Sequence, residues 1–285
     1  MSQASAGMHD ATRSGTPTRP VDNTDWLKTV AIICVSAGHI GFFFIENELW
    51  WSVFGRFAAP PFFFLVGYAQ SRTVPLRWIW IGIILTLLES WNAGWTWVAP
   101  NILLSFALIR IASRYVDTFL QNYSWVAFAI LVAALFAMLP LTGKIVDYGS
   151  EGWLWALFGL CQRMYADSKS ATDLEGEAQT TVPRENAIAH VGLMRLLACV
   201  IAAVAYIWQE QVEFSFSQIP FTVFVGGVVF LSISLCLFLR GPSRIQPPTA
   251  IAGVMGFIGR HTLEIYAIQL AASEIIIKLL PGLSE

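Results

Sequence analysis

The sequence predicts an all-α fold: a polytopic integral membrane helical bundle of about nine transmembrane helices with a cytoplasmic N-terminus. Three observations predict it. The 285 residues are 56% hydrophobic and only 13% charged, with a mean hydropathy of +0.60, far too apolar for an ordinary soluble domain. Apolar runs follow one another over 26–45, 51–70, 76–91, 98–114, 123–140, 151–165, 190–208, 219–239 and 261–280. Each is set against the roughly 17–25 residues that a spanning helix needs. With alternate crossings, Lys28, Arg72, Arg77, Arg110, Arg163, Arg195, Arg240 and Arg260 all fall at the inner side, while only Lys144 and Lys278 fall outside. Twelve tryptophans and twenty phenylalanines suit aromatic belts at the two interfaces.

Residues 1–24 are polar and rich in Ser, Thr, Gly and Pro, without the apolar core of a signal peptide. They are expected to form a disordered cytoplasmic tail, and residues 25–285 a single transmembrane domain. The second run, FGRFAAPPFFFLVGYAQSR, holds Arg56 within its outer half. Pro60-Pro61 is expected to kink or break that helix, which frees backbone groups that are tolerable only against protein or a cavity. Pro100 suits the opening turn of the fourth helix. Residues 166–189 carry no apolar pattern and read as a flexible cytoplasmic loop. GPSRIQPPT at 241–249 is a second break, and 250–258 either lies at the interface or begins the last helix.

Composition also excludes. A net charge of −2 and a pI near 6.1 give no reason to expect nucleic acid. The four cysteines lie apart in apolar stretches, without metal spacing, and read as small buried residues. No metal is expected, and there is no P-loop, GxSxG or HExxH.

The chemistry concentrates on the first helix. An α-helical residue advances about 100° and 1.5 Å. The eleven steps from Lys28 to His39 therefore bring both to one face, His39 about 16 Å deeper. Asp25 and Glu46 fall close to the same stripe. An ionisable side chain inside a span is costly and asks for a function. His39 reads either as a polar residue bonded to a neighbouring helix or as a general base, kept neutral by its apolar surroundings and able to take a proton. Gly38 and Gly41 leave room for close approach of a helix or ligand. Asp25 and Lys28 read either as a first-turn acid beside a snorkelling lysine or as an anchor for an anionic ligand. Arg56 needs a partner, with Glu46, Glu48 or Glu89 available. Arg72 and Arg260, with the other inner arginines, either follow the positive-inside rule or bind phosphates. Arg260 and Glu264 stand at i, i+4 and suit a pair.

DWLKTVAIICVSAGHIG resembles the first helix of the TraX and acyltransferase-3 families of bacterial membrane acyltransferases. Lys28 and His39 stand at the basic and histidine positions of the acyltransferase-3 signature. FGRFAAPPFFFLVGYAQSR is similar to the TraX pattern of a Gly-Arg, a proline-containing aromatic run and a glycine, and IGRHTLEIYAIQL resembles the closing helix of both. Gly38 stands where TraX proteins usually carry Asp, and Gln269 where both families often carry His. The resemblance implies transfer of an acyl group, commonly acetyl from acetyl-CoA, to a hydroxyl or amine of an envelope sugar or pilin-like protein, in the bacterial cytoplasmic (inner) membrane. The reading of the residues fits that chemistry, with His39 and Arg56 as the catalytic residues and Asp25, Lys28, Arg72 and Arg260 at the acyl-CoA donor. The rival reading of the same buried His and Arg is a small proton-coupled transporter, although no inverted repeat is evident.

Overall fold

A computed structural model describes residues 20–45, 49–175 and 182–280. Most of the expected tail, at 1–19, and the acids Glu46 and Glu48 lie outside the described residues. Among those described, helix is the only extended element: α1 (Asn23–Phe44), α2 (Leu49–Arg56), α3 (Ala59–Tyr68), α4 (Leu76–Asn92), α5 (Ile102–Thr142), α6 (Gly149–Glu175), α7 (Val182–Phe214), α8 (Gln218–Cys236) and α9 (Thr249–Leu279).

The second apolar run is broken as the prolines require. α2 ends at Arg56, a turn follows, and Pro60 and Pro61 occupy the first turn of α3, where their missing N–H groups cost nothing. α5 joins the fourth and fifth runs through Ser124, whose φ of 48° and ψ of −117° interrupt the helix. A straight helix of its 41 residues would span about 60 Å. Yet Asp147, beyond the end of α5, is bonded to residues at its start: its N–H donates to Pro100 O at 3.2 Å, and Ser105 Oγ donates to Asp147 O at 2.9 Å. The two halves therefore double back on each other. Pro100 itself stands ahead of the helix, which Asn101 caps. α9 begins at Thr249, so 250–258 opens the last helix, which bends at His261. α6 and α7 run into the loop expected at 166–189 from both sides, and only 176–181 lies outside the described residues. Up to residue 171 that polar stretch forms a helix end standing largely in solvent.

Counting α2 with α3 as one and α5 as two, the described residues form nine helical segments. Five segments are long and apolar enough to cross a membrane by length and composition: Asn23–Phe44, Leu49–Tyr68, Ser124–Thr142, Ile188–Phe214 and Gln218–Cys236. The exterior agrees. Phe42, Phe230 and Leu237 are 78%, 73% and 76% exposed, far more apolar surface than water tolerates. In lipid, helices gain little from hiding such side chains and associate through close packing instead. Gly67 of α3 lies on the Ala156 backbone of α6, and Gly159 of α6 on the Phe64 backbone of α3, leaving no space for a Cβ at either. Phe63, Phe64, Trp155, Phe158, Tyr206 and Phe224 fill the seam around them.

Candidate active site

A single cavity of about 730 Å³ runs between α1, the α2–α3 break, α4, the start of α5 and α9. Asp25, Lys28, His39, Arg56 and Arg260 all line it. α1 is unbroken from Asn23 to Phe44, so the Lys28–His39 stripe is a true helical face. Two glycine contacts set its walls. A Cβ on Gly38 would stand 2.8 Å from the Gly55 Cα, and one on Gly41 would fall on Trp51. α2 thus lies directly on α1 beside His39, and Arg56 follows Gly55.

The Lys28 end is cationic, with Arg77, Arg110, Arg240 and Arg260 on the same wall. The Lys28 Nζ donates to Gly259 O at 3.0 Å, two residues before the bend in α9. Gly259 packs on the Asp25 carboxylate, where a Cβ would not fit. Asp25 itself closes a capping box: it accepts the Asp22 N–H at 3.2 Å, and Asp22 accepts the Asp25 N–H at 2.8 Å. This is the local first-turn role. Arg260 is exposed at the mouth, and Glu264 pairs with Arg77 at 3.0 Å rather than with Arg260. Arg72 lies away from the cavity. Its Nη2 meets Asp117 at 2.5 Å, and Arg163 holds the other oxygen of that carboxylate at 2.6 Å.

His39 sits deeper. Its ring centroid is 5.8 Å from Tyr266 and 6.1 Å from Phe43, and its Nδ1 has no hydrogen-bond partner among the described residues. Gln269, one turn of α9 beyond Tyr266, accepts a hydrogen bond from Ser36 Oγ at 2.7 Å, so it is tied to α1 rather than set in the cavity wall.

Arg56 is held from four sides. Its Nε is 3.4 Å from Glu210, which is 1% exposed, and its Nη1 donates to Tyr148 Oη at 3.1 Å. Its guanidinium lies 4.3 Å over the Phe214 ring, and its carbonyl accepts from Tyr206 Oη at 2.6 Å. The expected partner Glu89 lines the cavity but does not pair with it. Glu210 comes from α7, distant in sequence. In the sequence Glu210 stands just past the 190–208 run, and it went unmatched with Arg56 because helix contacts are not written in hydropathy. A second, smaller polar pocket of about 90 Å³ shares Arg56, Asp147 and Tyr148 with the first and adds Glu151. The Asp147 carboxyl, in the α5–α6 connection, is pushed up to about 6 by burial, against the opposing charge of Arg56. Burial likewise raises the Tyr148 hydroxyl well above its ordinary value, so it keeps its proton.

The cavity can therefore hold a phosphate-bearing group at one end and a reacting centre at His39 about 16 Å further in. Three polar groups at that centre carried no role in the sequence: Tyr148, Tyr266 and Asn101, all in its wall. Asn101 had a legible signal, an N-cap residue just before an apolar run.

A family model described as "TraX protein" matches residues 23–228. Protein TraX of Escherichia coli is 32% identical over 149 residues, covering 50% of this chain and 56% of that protein. Protein TraX of Escherichia coli strain K12 is 28% identical over 147 residues, with the same coverage of 50% and 56%. The uncharacterized protein RP591 of Rickettsia prowazekii (strain Madrid E) is 27% identical over 126 residues, covering 44% of this chain and 50% of that one. The chain spans about half the length of the curated relatives it matches. No solved structure matches. The matched region contains Asp25, Lys28, His39, Arg56 and Arg72 and stops before α9, so Arg260 lies beyond it.

Proposed function

The chain belongs to the TraX family, and from that premise we propose that it is a membrane-embedded acyltransferase. It moves an acyl group, acetyl in the first instance, from acyl-CoA to a hydroxyl or amine of an envelope sugar or pilin-like protein. One observation carries the reading: a single cavity joins a cationic mouth at Lys28 to a histidine with an unpartnered ring nitrogen. The likeness of the Lys28–His39 helix to acyltransferase-3 proteins points the same way. The membrane is the bacterial cytoplasmic one, with the cationic mouth facing the cytoplasm, where acyl-CoA is made.

Lys28, with Arg260 and Arg240 at the mouth, meets the donor phosphates as a set of point charges and forks. The thioester then lies inward along α1. His39 takes the proton from the acceptor hydroxyl or amine as its oxygen or nitrogen bonds to the acyl carbon. The carbonyl π pair moves onto oxygen, giving a tetrahedral oxyanion. It returns as the C–S bond breaks, and the departing thiolate takes up the proton from the imidazolium. Arg56 lines the same space with its charge paired by Glu210, and its part is to hold that wall and position the acceptor. Arg72, committed to Asp117, takes no part.

The test is release of free CoA from acetyl-CoA by purified protein in nanodiscs, with and without cell-envelope extract as acceptor source. Wild type releases thiol, more with extract. His39→Ala retains its melting temperature and loses at least about 100-fold in turnover, the scale of a lost general base. Lys28→Ala raises KM for acetyl-CoA. Full transfer by His39→Ala sinks the mechanism. Absence of thiol release from wild type, with substrate flux across proteoliposomes, moves the assignment to a proton-coupled transporter.

A further inference from the structure

We propose that Tyr266 is a catalytic hydrogen-bond donor: its hydroxyl stabilises the oxyanion formed at His39, and Asn101 is the positioning residue that leaves the hydroxyl proton free. The proposal rests on the acyltransferase reading above.

The argument begins at a helix cap. Asn101, 4% exposed, is the N-cap of α5, and its Oδ1 accepts the Leu103 N–H at 3.2 Å. This fixes which way the amide is turned. The carbonyl oxygen faces the helix, and the NH2 faces Tyr266 Oη at 3.1 Å. An amide NH2 can only donate. The tyrosine oxygen is therefore the acceptor, and its own proton is not used in that bond. The Tyr266 hydroxyl makes no other hydrogen bond among the described residues. Tyr266 and Asn101 both line the cavity, with the Tyr266 ring 5.8 Å from that of His39.

The cap is rigid. The Asn101 N–H donates to Thr86 Oγ1 at 2.9 Å, which ties it to α4, and neighbouring Pro100 accepts the Asp147 N–H at 3.2 Å. The same logic recurs across the cavity. A guanidinium can only donate, so Tyr148 accepts from Arg56 and keeps its own proton for the cavity. Fixed O–H dipoles of this kind, which need no reorganisation during the reaction, stabilise developing negative charge most. Arg56 is less suited to that task, because Glu210 already balances its charge.

In the step itself the acceptor heteroatom adds to the acyl carbon and its proton passes to His39. The carbonyl electron pair settles on oxygen, where the Tyr266 O–H donates to it without giving up its proton. Collapse of the adduct restores the carbonyl and expels the CoA thiolate, which His39 reprotonates.

Two substitutions test this, read by acetyl-CoA-dependent thiol release in nanodiscs with envelope extract, beside melting temperature. Tyr266→Phe removes one oxygen atom. Its kcat is expected to fall about 100- to 1000-fold, the loss seen for one oxyanion donor, with KM for acetyl-CoA unchanged. Asn101→Asp keeps the cap, because one carboxylate oxygen still accepts the Leu103 N–H. The other accepts the Tyr266 O–H and takes the proton out of the cavity. The same fall in kcat at constant KM is expected, whereas a purely structural role for Asn101 lowers the melting temperature along with turnover. Wild-type kcat in Tyr266→Phe overturns the proposal. If that variant also melts early, Asn101→Asp decides: full turnover overturns the proposal, and loss of kcat alone upholds it. Wild type that releases no thiol overturns the acyltransferase reading and this one with it, whereas active wild type beside active Tyr266→Phe overturns this one only.

Discussion

Asp147 shows how a single connecting residue feels both the fold and the site. Its carboxyl titrates near 6 because burial outweighs the pull of the Arg56 guanidinium and the backbone N–H groups of Tyr148 and Ile102. That lies above the ordinary carboxylate value of about 3.9, so the folded protein binds this proton more tightly than the unfolded chain does. The resulting stabilisation is whole below about 3.9 and is lost as the pH rises through about 6. Asp147→Asn removes the dependence while keeping an oxygen for the N–H groups. The variant is expected to melt with wild type at pH 4. At pH 8 it is expected to melt above wild type, by on the order of 1 kcal/mol once partial solvent exposure is allowed for. Thermal unfolding in detergent at both pH values checks it, and parallel curves at the two pH values refute it. The sequence carried none of this, since hydropathy does not say which groups surround Asp147. Lys28 and His39, by contrast, were legible because both lie on one helix, where spacing alone fixes the face.

At the scale of the element, the α1–α2 contact decides whether the cavity has a wall. Gly38 and Gly55 face each other so closely that a Cβ on Gly38 would stand 2.8 Å from a backbone carbon. Backbone cannot swing aside as a long side chain does. Gly38→Ala is therefore expected to push α2 outward, cost about 1–3 kcal/mol of stability and lower turnover together with it, because Arg56 ends the displaced helix. Gly94→Ala serves as a control for general effects of substituting glycine. A Cβ there meets no atom, although its φ of 70° makes some strain of its own. A Gly38→Ala protein with wild-type melting temperature and rate removes this account of the wall. The sequence pointed to Gly38 and Gly41 as places of close approach and to the proline pair as a break, since both follow from what those residues cannot do. It could not say that the break falls at Phe57-Ala58, nor place at Ser124 the reversal that the separate runs 98–114 and 123–140 already called for. Those depend on contacts made between distant segments, such as Ser105 with Asp147. The polar run after Tyr165 read as loop because helices that extend beyond a bundle lose the apolar pattern by which they are recognised.

Across the whole molecule charge is sorted between two ends, and the sorting carries the donor assignment. Arg77, Arg110, Arg240 and Arg260 line the cavity with Lys28, while Glu89, Asp147 and Glu274 line it with Arg56, and Glu151 lines the smaller pocket beside them. Such a division is what the positive-inside rule produces, and the proposed function needs the cationic mouth to face the cytoplasm. Single cysteines in an otherwise cysteine-free protein test this at two exposed sites, Thr73 near the cationic mouth and Lys144 in the connection at the acidic end. A membrane-impermeant thiol reagent on intact cells is expected to label Lys144→Cys and to reach Thr73→Cys only after the membrane is opened. The reverse pattern would turn Lys28 away from the compartment that holds acyl-CoA. The stripe from Lys28 to His39 could then no longer be a donor channel, and the inner arginines would need a ligand to explain them rather than a membrane.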